Sequence, residues 1–251
     1  MIYNIAIFHF PGLDMARLSR LVISNQQHHV MQWGHDRQAI FRDSEDYACF
    51  LAWLAEAAKQ FGVAIHAYAL LPDHLHLLAT PSDTDGLGRM MQWLGRHYVP
   101  YFNRKYHRSG TLWQGRYKAT VIESQTYFLT CCSFIELSPV QAGLALEPAD
   151  YAWTSYLHHI GARHDALITD HSLYWGMGNT PFQREAAHKQ MLEQGVSQKD
   201  GEALLHAVEK GWLLGSPAFK AEMAKHTTRR VVPGQRGRPR TQKAASTDPA
   251  T

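Results

Sequence analysis

The chain has only three cysteines, Cys49, Cys131 and Cys132, with no CxxC spacing and two of the three adjacent. Such a set suits neither a disulfide framework nor a thiolate zinc site, and it fits a reducing cytosol. No uninterrupted apolar run reaches the ~18 residues that a membrane helix needs. The opening MIYNIAIFHFPG lacks the basic n-region of a signal peptide, so the expectation is a chain with no membrane span and no export. No solenoid-type repeat is visible. Acidic residues are missing between Met223 and Thr247, where Lys225, Arg229, Arg230, Arg236, Arg238, Arg240 and Lys243 fall. Because the whole chain carries only +3 at pH 7, the remainder is net acidic and the tail is the natural contact for a polyanion. With 45% hydrophobic residues, 251 residues are enough to bury one substantial core and a small second unit.

Strand and helix signals alternate along the first 140 residues. His28 to Gly34 reads as a strand, and Ser44 to Gln60 as a helix with Ser44 as N-cap and an apolar stripe at Tyr47, Phe50, Leu51 and Leu54. Val63 to Leu71 and His74 to Thr80 read as two strands joined by Pro72-Asp73, and Leu87 to Tyr106 as a second helix closed by Gly110. Tyr117 to Glu123 supplies a fourth strand. A third helix, Gln125 to Leu137, is expected to stop before Pro139, because proline disfavours helix in the residue before it. The order βαββαβα predicts an α+β, ferredoxin-like antiparallel sheet with helices on one face. After Tyr156, Pro181 to Gln194, Gln198 to Lys210 and Ser216 to Lys225 read as short helices forming a small appendage. The expected division is a short extension over 1–14, a main domain over 15–160, the appendage over 161–226 and a basic, disordered tail over 227–251.

Within LLPDHLHLLATP, one leucine separates His74 from His76 in an alternating apolar run. On a strand both imidazoles leave the same face. Two imidazoles with open positions beside them can hold a divalent ion that acts as a Lewis acid on a phosphodiester. Taken alone, the same pattern also describes a strand whose wetter face happens to carry two histidines. Sixteen histidines make accidental pairs common, and of the others only His28 and His29, on the neighbouring first strand, invite a supporting role.

LLPDHLHLL, GTLWQGRYKA and FIELSPVQAGL occur in an order that resembles the REP-associated tyrosine transposases, a branch of the HUH single-strand DNA transposases. ARLSRLVI, HHVMQWGHDRQ and RDSEDYACFLAWL precede them, and GWLLGSPAFKAEM with RRVVPGQRGRPR extends the likeness over roughly residues 15 to 240. The resemblance implies a DNA transesterase: His74 and His76 holding Mg2+ or Mn2+, and a tyrosine on the third helix that attacks DNA and leaves a covalent phosphotyrosine. It also implies a bacterial cytoplasmic protein at the nucleoid. Family members begin at a Met-Ala-Arg, matched by Met15-Ala16-Arg17; residues 1–14 are then a start-site extension or an edge strand.

At the nucleophile position this chain has Phe134, and a phenyl ring has no oxygen to attack with. The matching third-ligand position is Ser138 in place of asparagine, a poorer donor for a hard cation. Tyr127, seven residues earlier, is the backup nucleophile, although at 1.5 Å per residue it lies about 10 Å along the helix, and core packing is the favoured reading. The family's Arg-Gly-Asn-Asn-Arg is Trp33-Gly34-His35-Asp36-Arg37 here, which retains Arg37.

The expected partner is DNA, single-stranded or a hairpin with a duplex stem. Candidate contacts are Arg37, then Arg96 and Arg104 on the second helix among Trp93, Tyr98, Tyr101 and Tyr106, then Trp113, Arg116 and Lys118, with Arg116 and Lys118 on one side of the fourth strand. Trp93, Leu94, Val99 and Phe102 are expected to face the sheet instead. Arg236, Arg238 and Arg240 in Gln-Arg-Gly-Arg-Pro-Arg resemble an AT-hook for a narrow minor groove; a solvated tail is the equal alternative. In the appendage, helix-turn-helix-like spacing permits a major-groove reader, and plain three-helix packing is as common. Three functions follow: a transposase recognising hairpin-forming repeats, a non-catalytic DNA-binding derivative, or a metal-dependent nuclease that uses activated water.

Overall fold

The computed structural model describes residues 20–233. The extension over 1–14, Met15-Ala16-Arg17 and the contacts expected from Arg236, Arg238 and Arg240 therefore lie outside the described residues. The elements run β1 (His28–Trp33), α1 (Ser44–Gln60), β2 (Val63–Leu71), β3 (His74–Pro81), α2 (Gly86–Lys105), β4 (Lys118–Val121) and α3 (Ser124–Gln141). Two single-turn helices, α4 (Tyr156–His159) and α5 (Ser172–Trp175), lead to α6 (Pro181–Gln194), α7 (Gln198–Lys210) and α8 (Pro217–Ala224). The four strands form one antiparallel sheet in the order β2-β3-β1-β4, the expected ferredoxin-like plan.

The two helices of the βαββαβ unit share one face, as the sequence predicts. Tyr47, Phe50, Leu54 and Ala57 of α1 and Met90, Leu94, Tyr98 and Phe102 of α2 recur at three- and four-residue spacing and pack on Val30, Leu75, Leu77 and Ala79. A bulge between Ile65 and Ala67 shifts the alternation of β2 by one, so Val63, Ile65, Tyr68 and Leu70 all reach this face. The other face is covered as well. There Ala67 and Ala69, small enough for close approach, and Leu71 and Leu78 meet Phe128, Cys131, Cys132 and Ile135 of α3 and Leu204 and Ala207 of α7. The segment read as an appendage thus packs directly on the sheet. Its helices start on built caps: Thr180 and Gln183 form a reciprocal capping box, and Ser197 and Ser216 accept from Asp200 N and Phe219 N.

Two boundaries differ from expectation for identifiable reasons. The N-cap of α1 is Asp43, whose carboxylate accepts from Asp46 N at 3.1 Å, and Ser44 is the first helical residue. α3 continues through Pro139 to Gln141. Proline leaves the Ile135 carbonyl without its i+4 amide donor, and the Ser138 hydroxyl donates to that carbonyl at 2.7 Å in its stead.

Much of the cation and aromatic content of α2 proves to be internal. Lys105 Nζ lies 2.8 Å from Asp43, 2.8 Å from Glu45 and 3.0 Å from the fully buried Asp46. Tyr101 and Tyr106 donate to Asp46 at 3.1 and 2.8 Å. Tyr98 is buried and donates to Ile40 O. These side chains hold α2 against α1 and offer no stacking surface, whereas Arg96 and Arg104 are exposed.

Two predictions follow from buried polar groups. Ser138→Ala removes the substitute donor and leaves a buried carbonyl unpaired, so it should lower unfolding free energy by about 1–3 kcal/mol in urea denaturation. Burial drives His28 and His66 to about 4, despite hydrogen bonds to Gln26 O and Thr169 O. Below the ordinary 6.5 the unfolded chain then binds protons that the folded chain refuses, so their contribution is complete above 6.5 and declines toward pH 4. Each should cost about 1.4 kcal/mol per pH unit in that window. Urea midpoints measured from pH 7 to 4.5 should fall, and a His28→Gln/His66→Asn variant should lose part of that slope, the rest coming from His29 and His76, which burial also holds low.

Candidate metal and nucleic-acid site

Strand parity puts His29, Met31 and Trp33 of β1 and His74 and His76 of β3 on the sheet face that α3 covers, with Trp33 opposite His74 and Met31 opposite His76. The His74 and His76 rings are 5.1 Å apart. His29 Nε2 lies 3.0 Å from His76 Nδ1, and the two rings stack with centroids at 5.3 Å. His29 thus reaches His76 from the neighbouring first strand. His28 leaves the other face and binds Gln26 O and Ile23 N.

Phe134 faces this group from α3. Its ring is 5.9 Å from that of His29 and 5.7 Å from that of His76, edge-on to both. Gly201 of α7 lies over the Phe134 ring, where a Cβ would make ordinary van der Waals contact at 3.7 Å. Val208 of α7 packs beside it on Met31 and Trp33. The site is roofed, with His76 at 2% exposure and the His74 side chain at 17%. Entry is at the His74 end.

The donor chemistry of the pair suits a cation. His74 Nδ1 is 2.5 Å from Asp73 Oδ1, and His76 Nδ1 is engaged by His29, so in each ring the hydrogen-bonded nitrogen is Nδ1 and the one left for a ligand is Nε2. At His76 this requires the tautomer that donates from Nδ1 to His29. Burial first, then His74, His29 and Arg37, hold His76 well below the ordinary range, which keeps it a neutral imidazole at pH 7. Burial alone would raise Asp73, but its hydrogen bond and charge interaction with His74, followed by Arg37, hold it low. Asp73 was read from the sequence only as a turn residue; its place immediately before His74 was the available signal. Ser138, the weak third-ligand position, donates its hydroxyl proton to Ile135 O at 2.7 Å. Tyr127 is partly buried against the α3 cluster two turns from Phe134, in agreement with the packing reading.

Cations flank the entry. The Arg37 guanidinium lies 5.1 Å from the Trp33 ring and 3.7 Å from Asp73, and Lys118 Nζ lies 5.2 Å from the same ring. Asp36 and Arg37 both adopt left-handed backbone, with φ 49 and 57, a conformation that asparagine and aspartate tolerate better than most residues. Arg116 does not share a side with Lys118: β4 begins only at Lys118, and strand alternation does not extend into the bend before it. Trp113 and Arg116 instead line a cleft of about 640 Å³ on the α2 side, with Gln32, Arg89 and Gln92. Neither Arg96 nor Arg104 lines it, and both belong to the helix on the face away from the imidazoles.

A second set of ligand-type side chains lies on another stripe of α3. Glu136 receives His159 Nδ1 at 2.6 Å and His188 Nε2 at 2.7 Å. Among the described residues it is the one group of three or more His, Cys, Asp or Glu whose ligand atoms lie within 4.8 Å of one another. No member was singled out as a ligand in the sequence, because the three residues are 23 and 29 positions apart, with no motif linking them.

Residues 22–137 match the family model for IS200-like transposases. Among solved structures, the chain is similar to a REP-associated tyrosine transposase bound to a REP hairpin, at 17% identity over 63% of this chain and 96% of that one, with a TM-score of 0.49. It is also similar to a putative transposase from Deinococcus radiodurans R1, at 20% identity over 49% of this chain and 92% of that one, with a TM-score of 0.34. No curated protein matches.

If Asp73 fixes the His74 ring for a ligand, Asp73→Asn should weaken Mn2+ binding by about 10- to 100-fold, as loss of an outer carboxylate does at other histidine sites. Calorimetric titration of the folded variant measures it; an unchanged affinity would place the ion elsewhere.

Proposed function

We propose, from the match of residues 22–137 to the IS200-like transposase family model, that the chain binds hairpin-forming single-stranded DNA, with a duplex stem, without forming a covalent link at position 134. The observation that carries this reading is the Phe134 ring set edge-on against His29 and His76. Position 134 is where the resembled enzymes present their phenolic oxygen, and here a hydrocarbon edge fills it. Attack on phosphorus needs a lone pair on an activated oxygen, which this side chain cannot supply. Tyr127, two turns away and packed on the core, does not replace it.

The remaining parts of a DNA site fit the proposal. His74 and His76 would hold Mg2+ or Mn2+, and a bound ion would supply Lewis-acid polarisation of a phosphate. Arg37 and Lys118 would receive the backbone at the His74 entry. The segment from Trp113 to Lys118 passes from the α2-side cleft to the imidazole face beside β4, the edge strand of the sheet. A strand of DNA that turns around this edge would meet Trp113 and Arg116 first and Lys118 and Arg37 next. Arg96 and Arg104 would at most touch a duplex stem on the α2 side. The tail arginines Arg236, Arg238 and Arg240 add nonspecific or minor-groove affinity in this reading. The setting is the bacterial cytoplasm, at the nucleoid. A catalytically competent transposase is the second reading, and it requires Tyr127 to reach the ion.

A labelled hairpin with a single-stranded flank separates the readings. With Mn2+, the unaltered chain should bind the hairpin and form no covalent adduct, while Phe134→Tyr should yield an adduct on denaturing gels that maps to residue 134. An adduct on Tyr127 of the unaltered chain would overturn the proposal in favour of the second reading.

A further inference from the structure

Glu136 sits two residues from Phe134, about 200° around α3, so it points away from the sheet-side imidazoles. It is fully buried, as are His159 at 3% and His188 at 1% exposure. One carboxylate oxygen accepts from His159 Nδ1 at 2.6 Å and from Ser155 Oγ at 2.5 Å; the other accepts from His188 Nε2 at 2.7 Å. Three separate elements, α3, α4 and α6, thus converge on one carboxylate. His159 and His188 lie beyond the stretch matched to the transposase family.

The charge of this carboxylate is unusual in having no permanent counterion. Among the described residues no lysine or arginine lies within ion-pair distance of it; only two imidazoles and a hydroxyl do. The buried Asp46 on the opposite face shows the contrast, since it is matched by Lys105. An uncompensated buried carboxylate is costly, and an imidazole is neutral unless it takes a proton. Two imidazole nitrogens and one carboxylate oxygen are also a common protein donor set for Zn2+.

We propose that Glu136, His159 and His188 bind one Zn2+-class transition-metal ion, distinct from the ion of the His74–His76 pair. Each imidazole gives the lone pair of the nitrogen that now faces the carboxylate and carries its proton on the other ring nitrogen. Any further proton held by the triad leaves to solvent as the ion enters. Ser155 or a water completes a four-coordinate shell. Because the site is closed, the ion ties α4 and α6 to α3 and does not meet substrate.

The full chain, freed of metal by chelation and dialysed, is titrated with Zn2+, and separately with Co2+ for its visible absorption. A His74→Ala/His76→Ala variant should still take up about one Zn2+ per chain, show the Co2+ bands of a four-coordinate N/O site, and melt at a temperature that rises with Zn2+. Glu136→Gln, which keeps the shape of the site, should lose the Co2+ bands and the Zn2+-dependent rise in melting temperature. Should Glu136→Gln fail to fold, the His74→Ala/His76→Ala variant alone decides. Absence of stoichiometric Zn2+ in that folded variant, with no Co2+ bands and a melting temperature indifferent to Zn2+, would overturn the proposal and leave a proton-held clamp.

Discussion

The contact between His29 and His76 across β1 and β3 is the constraint around which the imidazole face is organised. Antiparallel pairing fixes which residues share that face, and a slip of one residue would turn both HxH histidines toward α1 and α2. In the observed register, His29 occupies the Nδ1 of His76 and leaves the opposite nitrogen for a ligand. Burial keeps His29 and His76 neutral, so they do not repel a cation. The same burial leaves His29 Nδ1 without a partner, a polar cost that a purely structural pair of apolar residues would not carry.

The parts of this arrangement that were legible in the sequence are those set by short-range periodicity. The limits of β2, α6 and α7 follow from apolar spacing and from glycine, proline and capping residues nearby, and the structure keeps them at the expected positions, with α1 off by its capping residue alone. The HxH geometry needed only a period of two. Misreadings arose wherever a partner came from far along the chain. The aromatic and basic residues of α2 resemble a nucleic-acid surface until Asp43 and Asp46, about sixty residues earlier, are seen to bind them. The end of α3 was misplaced because a rule for proline does not know that the preceding serine can supply the missing hydrogen bond. Arg116 and Lys118 parted because the strand began later than its alternation suggested.

The Glu136 cluster was illegible for a different reason. Its members have no shared spacing, and His159 is one of sixteen histidines, so its pairing with Glu136 is a product of how α4 and α6 dock. Hydrogen bonding and the two imidazoles outweigh burial and hold the carboxylate well below the ordinary range, while His159 is raised by the same contact despite its own burial. A carboxylate kept ionised in hydrocarbon is a fixed feature of the fold, and it lies on the helix that presents position 134.

α3 is therefore held from both sides by imidazoles in opposite roles. Toward the sheet, Phe134 is seated on neutral rings that depend on an apolar, closed environment. Toward α4 and α6, Glu136 is bonded by two imidazoles and draws positive charge onto that of His159. A tyrosine at 134 would add a hydroxyl to a ring set edge-on to His29 and His76, and buried hydroxyls are stable only when bonded. Phenylalanine makes no such demand, and its ring packs under α7 beside Gly201. The more exposed approach to the imidazoles is the His74 end, where Arg37 and Lys118 stand, while His76 stays covered.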